Sequence, residues 1–156
     1  MSRKLVAIVT ALFLVACDSG ESGSSEQTVV AAKETGNFVR SDDFATVQKG
    51  FQVYRKNCAR CHGSEGQGAP NWQQVGPDGK YPPPPLNGTG HAWHHPQAAL
   101  KRTIKEGTVA IGGKMPGLGT VLSDEDIVAV IAWFQSRWPD ELYQAWARMD
   151  QQSRQK

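Results

Sequence analysis

The sequence predicts an all-α fold, because apolar residues recur at helical spacing in separate stretches and a capping residue stands before or after each one. Phe44, Val47, Phe51, Tyr54 and Cys58 recur at i, i+3, i+7, i+10 and i+14, which draws one apolar stripe over 44–58. Ser41 is its expected N-cap, with Asp42 and Asp43 in the first turn, where negative charge favours the helix dipole. Leu100, Thr103 and Ile104 share a face over 97–106, and Gly107 is the expected C-cap. Ile127, Val130, Ile131, Phe134 and Trp138 form the next face, entered through a cap and acidic turn at Ser123-Asp124-Glu125-Asp126. Leu142, Ala145, Trp146 and Met149 make a final stripe over 139–151, with Pro139 suited to the first helical position.

At 156 residues the chain suits one domain with accessory segments. A domain of this size buries a moderate core, so a large covalently held group would help to stabilise it. The formal charge is +2, but Arg3 and Lys4 lie in a segment expected to be removed, which leaves a neutral remainder. Within it, 41–116 is the positive part, with nine Lys and Arg against five Asp and Glu. No dense basic patch of the kind that binds nucleic acid is present.

The first 16 residues read as an address. A basic start at Arg3-Lys4 precedes an apolar run from Leu5 to Ala16, of signal-peptide length and short for a bilayer span. Its end, Leu14-Val15-Ala16-Cys17, resembles the bacterial lipobox, in which the cysteine becomes the acylated first residue. An ordinary signal peptide with Cys17 present by chance is the alternative. Asp18 resembles the inner-membrane retention signal of enteric-type lipoproteins. Residues 17–40 are rich in Ser, Gly and Glu and read as a lipidated flexible tether, with an r.m.s. span of roughly 25 Å. The expected organisation is therefore a signal peptide at 1–16, the tether at 17–40, a domain at 41–138 and a helical extension at 139–156.

The string Cys58-Ala59-Arg60-Cys61-His62-Gly63 carries the chemistry. C-x-x-C-H is the attachment signature of haem c. Two cysteines three apart lie about one helical turn from each other, so both sulfurs can reach one porphyrin edge, and His62 can then supply the proximal imidazole. A thioredoxin-like C-x-x-C would follow a strand inside a βαβ unit, and no such pattern precedes Cys58. A zinc site would want a second Cys or His pair at suitable spacing. A disulfide would leave His62 unexplained.

A filled sixth position needs another ligand. Of the three methionines, Met1 departs with the signal and Met149 sits on an amphipathic stripe. Met115 lies in a Gly-rich loop, Thr108 to Gly119, that can lay backbone close to a flat cofactor, with Pro116 stiffening it. A thioether favours Fe(II), so His62/Met115 ligation would raise the potential. His91, His94 and His95 are rival ligands, and bis-His ligation would lower it. Lys114 is a conceivable replacement at high pH. The same three histidines could instead hold Cu or Zn, or cap a helix, satisfy loop carbonyls or meet a propionate. Trp93 could offer its indole N–H to a propionate.

C-x-x-C-H followed by a Gly-rich Met-Pro loop resembles the class I cytochrome c family, over roughly residues 41–138. The resemblance implies a cytochrome c fold of three main helices around one covalently bound haem c, here with an extra C-terminal helix. It implies that the first and last main helices cross closely, with Gly50 and Trp133 as the contact pair. It also implies that Pro84, in Pro84-Pro85-Leu86, accepts a hydrogen bond from the proximal His62, which would fix the ring and tune the iron. The stretch from Gly66 to Pro85 is longer than a minimal relative needs and reads as an ordered Ω-like loop.

The resulting expectation is a one-electron carrier, with no catalytic residues of its own, on the periplasmic side of a bacterial membrane. It is anchored through Cys17 and serves unidentified redox partner proteins; it could act as the cytochrome subunit of an oxidoreductase. Lys56, Arg60 and Lys114 would steer an acidic partner. The alternatives are a haem-based sensor or enzyme with a labile Met115, a metal-binding cytochrome using His91, His94 and His95, and a dithiol oxidoreductase.

Overall fold

The computed structural model describes Arg40 and residues 43–155. The expected signal peptide, Cys17, Asp18, residues 18–39 of the tether, Ser41 and Asp42 lie outside the described residues. Among the described residues there are five helices and no strand. These are α1 (Phe44–Asn57), α2 (Ala59–His62), α3 (Gln97–Glu106), α4 (Asp124–Gln135) and α5 (Asp140–Ser153), with short 3₁₀ turns at Ala92–His94 and Val109–Ile111. None of these helices is long and apolar enough to cross a membrane.

Helix α1 begins two residues later than the Ser41 cap implies. Asp43 is the cap: its Oδ2 accepts from the Thr46 amide at 3.0 Å and from the Thr46 hydroxyl at 2.6 Å. The first residue of the expected stripe, Phe44, projects into solvent at 75 % exposure, since the helix end overhangs the core. Burial starts with half-buried Val47 and Phe51 and is complete at Tyr54.

Helix α4 is the central element. Ser123 and Asp126 form a reciprocal capping box, which satisfies two otherwise orphaned amides. Ile127, Val130, Ile131, Phe134 and Trp138 are all buried, as their spacing predicts. Ala129 and Trp133 are buried too, because α1 crosses on that side. The crossing depends on Gly50. A Cβ there would stand 2.0 Å from the Ala129 carbonyl oxygen and 2.8 Å from the Trp133 Cβ. The missing side chain lets the backbones approach, and Phe51 and Tyr54 then pack on the Trp133 ring, with Tyr54 at 4.0 Å between centroids.

Helix α5 buries a different face from the one expected. Tyr143, Trp146, Ala147 and Asp150 point inward, whereas Leu142 and Met149 are only partly buried and flank that face. Pro139 precedes the helix rather than opening it. The displacement has a polar cause. Asp150, 2 % exposed, accepts from the Gln97 amide at 2.7 Å, and the Trp146 indole donates to the His95 carbonyl at 2.9 Å. Helix α3 begins after Pro96, which has no capping side chain, so Asp150 supplies the cap from 53 residues away. Arg40 closes the other end. Its guanidinium donates to the Gln135 and Trp138 carbonyls, pairs with Asp140 at 3.0 Å and covers the Tyr143 ring.

Candidate haem-binding site

The site is built where α1 gives way to α2. Cys58 ends α1 and leads into a single helical turn carrying Arg60, Cys61 and His62. The amides of Cys61 and His62 both donate to the Cys58 carbonyl, so the two sulfurs belong to one turn. Both are free thiols. Cys61 is exposed, while burial, and then the neighbouring Cys61, pushes the Cys58 thiol up to about 11. Among the described residues no strand precedes them.

His62 is buried, and its Nδ1–H donates to the Pro84 carbonyl at 2.8 Å. A carbonyl only accepts, so this bond fixes the proton on Nδ1 and leaves the Nε2 lone pair available to a metal. Burial holds the imidazole below its ordinary pKa against the opposing pull of the Pro84 carbonyl, which favours the neutral, ligating form.

The Pro84 carbonyl is itself held in place. The Gly68 amide donates to the His62 carbonyl at 2.8 Å, the Leu86 amide to Gly66 at 2.7 Å and the Ala69 amide to Pro83 at 2.9 Å. Gly68, at φ +65°, has no room for a side chain; a Cβ would stand 2.4 Å from the Pro85 nitrogen. Gly90 lies against the Pro85 carbonyl in the same way. Tyr54, fully buried, donates to the Gly63 carbonyl at 2.6 Å, and Trp138 donates to the Leu86 carbonyl at 2.8 Å. Those last two bonds link α1 and the segment after α4 to the loop around His62.

Met115 sits in the loop that follows α3. Its amide donates to the Thr108 hydroxyl at 3.1 Å, and the Thr108 amide donates back to the Met115 carbonyl at 2.8 Å. Beyond it, Leu118 and Gly119 donate to Ile104 and Lys105 in the last turn of α3. Met115, Leu118, Leu86, Trp93, Cys58 and Ala59 are half-buried residues packed against the core.

Three expectations meet competing contacts. The Trp93 indole N–H donates to the Gly90 carbonyl at 3.0 Å, which uses the one donor expected to face a propionate. The three histidines do not converge. His91 stacks on Trp72 and meets His95 edge-on at 5.5 Å, whereas His94 stacks on Trp93 at 3.7 Å. Among the described residues no group of three or more His, Cys, Asp or Glu is arranged to hold a metal ion. Burial, and then His95 and His94, keep the His91 pKa below its ordinary value. Lys114, expected to help steer a partner, is paired with Asp78 at 2.6 Å.

The family model for cytochrome C oxidase, cbb3-type, subunit III matches residues 45–134. The chain belongs to this cytochrome c family. A curated relative, cytochrome c-551 of Bacillus subtilis (strain 168), is 32 % identical over 83 residues. The match covers 52 % of this chain and 63 % of the relative, so this cytochrome spans less than two thirds of that protein's length. No solved structure matches. Helix α5 lies beyond the matched residues.

Cytochromes of this family bind haem c covalently. The residues present here fit that group. Two unpaired thiols share one turn, and the Pro84 bond of the adjacent buried imidazole takes its Nδ1 proton and leaves Nε2 for the iron.

Proposed function

We propose that this cytochrome is a one-electron carrier in a periplasmic, membrane-associated electron-transfer chain. In this reading Cys58 and Cys61 form thioethers to one haem c, and His62 and Met115 are its axial ligands. The observation that carries the reading is the 2.8 Å bond from His62 Nδ1 to the Pro84 carbonyl, beside the two free thiols. Bound haem c supplies a one-electron iron couple.

The chain's own residues do the rest. Pro84 holds the His62 ring in one tautomer and orientation and increases its donor strength. The Thr108–Met115 pair and the α3 contacts fix the methionine loop. Fixed ligands that stay put in both oxidation states keep reorganisation small. Cys17 is acylated, Asp18 favours the inner membrane, and the tether lets the domain move between redox partners on one membrane face.

The test is the optical spectrum of the exported protein, oxidised and dithionite-reduced, then with CO. Sharp reduced c-type bands, a weak far-red sulfur-to-iron band when oxidised and no prompt CO shift are expected. A prompt shift or a missing sulfur band would overturn the Met115 assignment and favour a sensor or bis-His centre. Labelled fatty acid should enter the wild type and be lost in Cys17→Ser.

A further inference from the structure

We propose that Asp78, Lys80 and Lys114 form a clasp that holds the Met115 loop shut from the outside, with Asp78 as a positioning residue for the methionine. The proposal rests on the reading of Met115 as an axial ligand.

The long loop expected to be Ω-like runs from the His62 side of the domain to the methionine loop. Its base is closed by the Ala69–Pro83 bond, one residue from Pro84, and Trp72 on it stacks on His91. Its tip is a tight turn. The Gly76 amide donates to the Lys80 carbonyl at 2.8 Å, the Gly79 amide donates to the Gly76 carbonyl at 3.0 Å, and Gly79 takes φ +72°.

Two reciprocal contacts join that tip to the methionine loop. Asp78 Oδ2 pairs with Lys114 Nζ at 2.6 Å, and Lys80 Nζ donates to the Gly113 carbonyl at 3.3 Å. Asp78 Oδ1 also accepts from the Lys80 amide at 3.3 Å, so one carboxylate organises both lysines.

The methionine loop needs such a hold on one side only. After Met115 it is pinned to α3 through Leu118 and Gly119. Before Met115 its tip has little packing: Val109 is 58 % and Ile111 84 % exposed. A segment with few buried contacts opens locally at low cost. The clasp grips this weak side, at the two residues immediately before Met115. One continuous loop therefore joins the support of His62, at Pro84, to the support of Met115.

Exposed ion pairs are individually modest, so the expected effect is about two- to fivefold. The experiment compares holoprotein with Asp78→Asn, Asp78→Glu and, as a surface-charge control, Lys49→Gln. It reads the slow rate at which CO replaces the ferrous sixth ligand, the far-red band, and amide exchange at Gly113 and Met115. Asp78→Asn should speed CO entry and both amide exchanges by about two- to fivefold. Asp78→Glu should restore most of the difference, and Lys49→Gln should change nothing. Added salt should speed CO entry in wild type more than in Asp78→Asn, because it screens the pair. Wild-type CO rates and exchange in Asp78→Asn would overturn the clasp and leave the ligand assignment intact. Absence of the far-red band in wild type would overturn both.

Discussion

The Cβ of Trp133 and the backbone of Gly50 lie so close that a methyl group on Gly50 would stand 2.8 Å from that carbon and 2.0 Å from the Ala129 carbonyl oxygen. In an exposed helix Gly→Ala stabilises by about 1 kcal/mol. Here the sign should reverse, because a backbone carbonyl cannot move aside as a flexible side chain can. Gly50→Ala should cost about 1–3 kcal/mol, the range for overpacking. The check is the urea midpoint of the holoprotein at unchanged m-value; a midpoint at or above wild type would contradict the close crossing.

A second substitution tests how the loop aims the Pro84 carbonyl. Gly68 is both left-handed and confined, so Gly68→Ala must shift Pro84–Pro85. The variant should lose about 1–3 kcal/mol. Its potential should also rise, since a weaker His62–Pro84 bond makes the imidazole a poorer donor to the oxidised iron. Spectroelectrochemical titration measures this, and an unchanged potential would separate the loop from the ligand.

The remote cap offers a test of the C-terminal helix. Asp150→Ala leaves the first turn of α3 without its acceptor and should cost about 0.5–2 kcal/mol. Asp150→Asn keeps an oxygen for the Gln97 amide and should cost less. Equal losses in the two variants, by chemical denaturation, would mean that charge rather than capping is at work.

Acid should weaken the same crossing region. The Lys49 bond holds Asp126 below its ordinary value of 3.8, and the Lys105 bond does the same for Asp124. A depressed folded pKa adds stability above the unfolded value and loses it as pH falls through the folded one. Stability should therefore decline as pH drops below about 4, and less steeply for Asp126→Asn. A pH series of denaturation midpoints decides it. Asp124 is exposed and Asp126 half-buried, so the effect should shrink in salt, more for Asp124 than for Asp126.

Partner steering should fall on Lys56 and Arg60 rather than on Lys114. Both are exposed and have no ion-pair partner among the described residues, whereas Lys114 is engaged by Asp78. Replacing both by Gln should lower the rate of electron transfer to an acidic partner and flatten its ionic-strength dependence. Lys114→Gln should do so less. Stopped-flow rates across a salt series would show a different ranking if the middle segment's charge acts only as a whole.

Much of the site was legible because its determinants are local. C-x-x-C-H lies within one turn, so spacing alone put two sulfurs and an imidazole together. The Ser123 cap and the stripe from Ile127 to Trp138 follow from helical period, and the structure keeps them. The Gly50–Trp133 contact and the Pro84 acceptor were legible only through resemblance, since a glycine or a proline carbonyl carries no chemical mark of its partner.

The losses came where long-range contacts compete with local pattern. Phe44 continues the apolar period yet overhangs the core, and no described core residue covers it. On α5, periodicity chose Leu142 and Met149, but the domain turned Tyr143 and Asp150 inward to meet Arg40 and the Gln97 amide. The histidine cluster left metal binding and loop roles open; in space His91 stacks on Trp72 and meets His95 edge-on, while His94 stacks on Trp93.

The sequence by itself determined the cofactor class, the helical architecture and the turn that groups Cys58, Cys61 and His62, because each is set by residues within a few turns of one another. Only the tertiary structure decided what caps α3, which face α5 buries and how Asp78 reaches Lys114. The Asp78–Lys114, Gln97–Asp150 and Arg40–Asp140 contacts join residues 36, 53 and 100 positions apart, and hydrogen bonds and ion pairs of that range depend on where the folded backbone places each group.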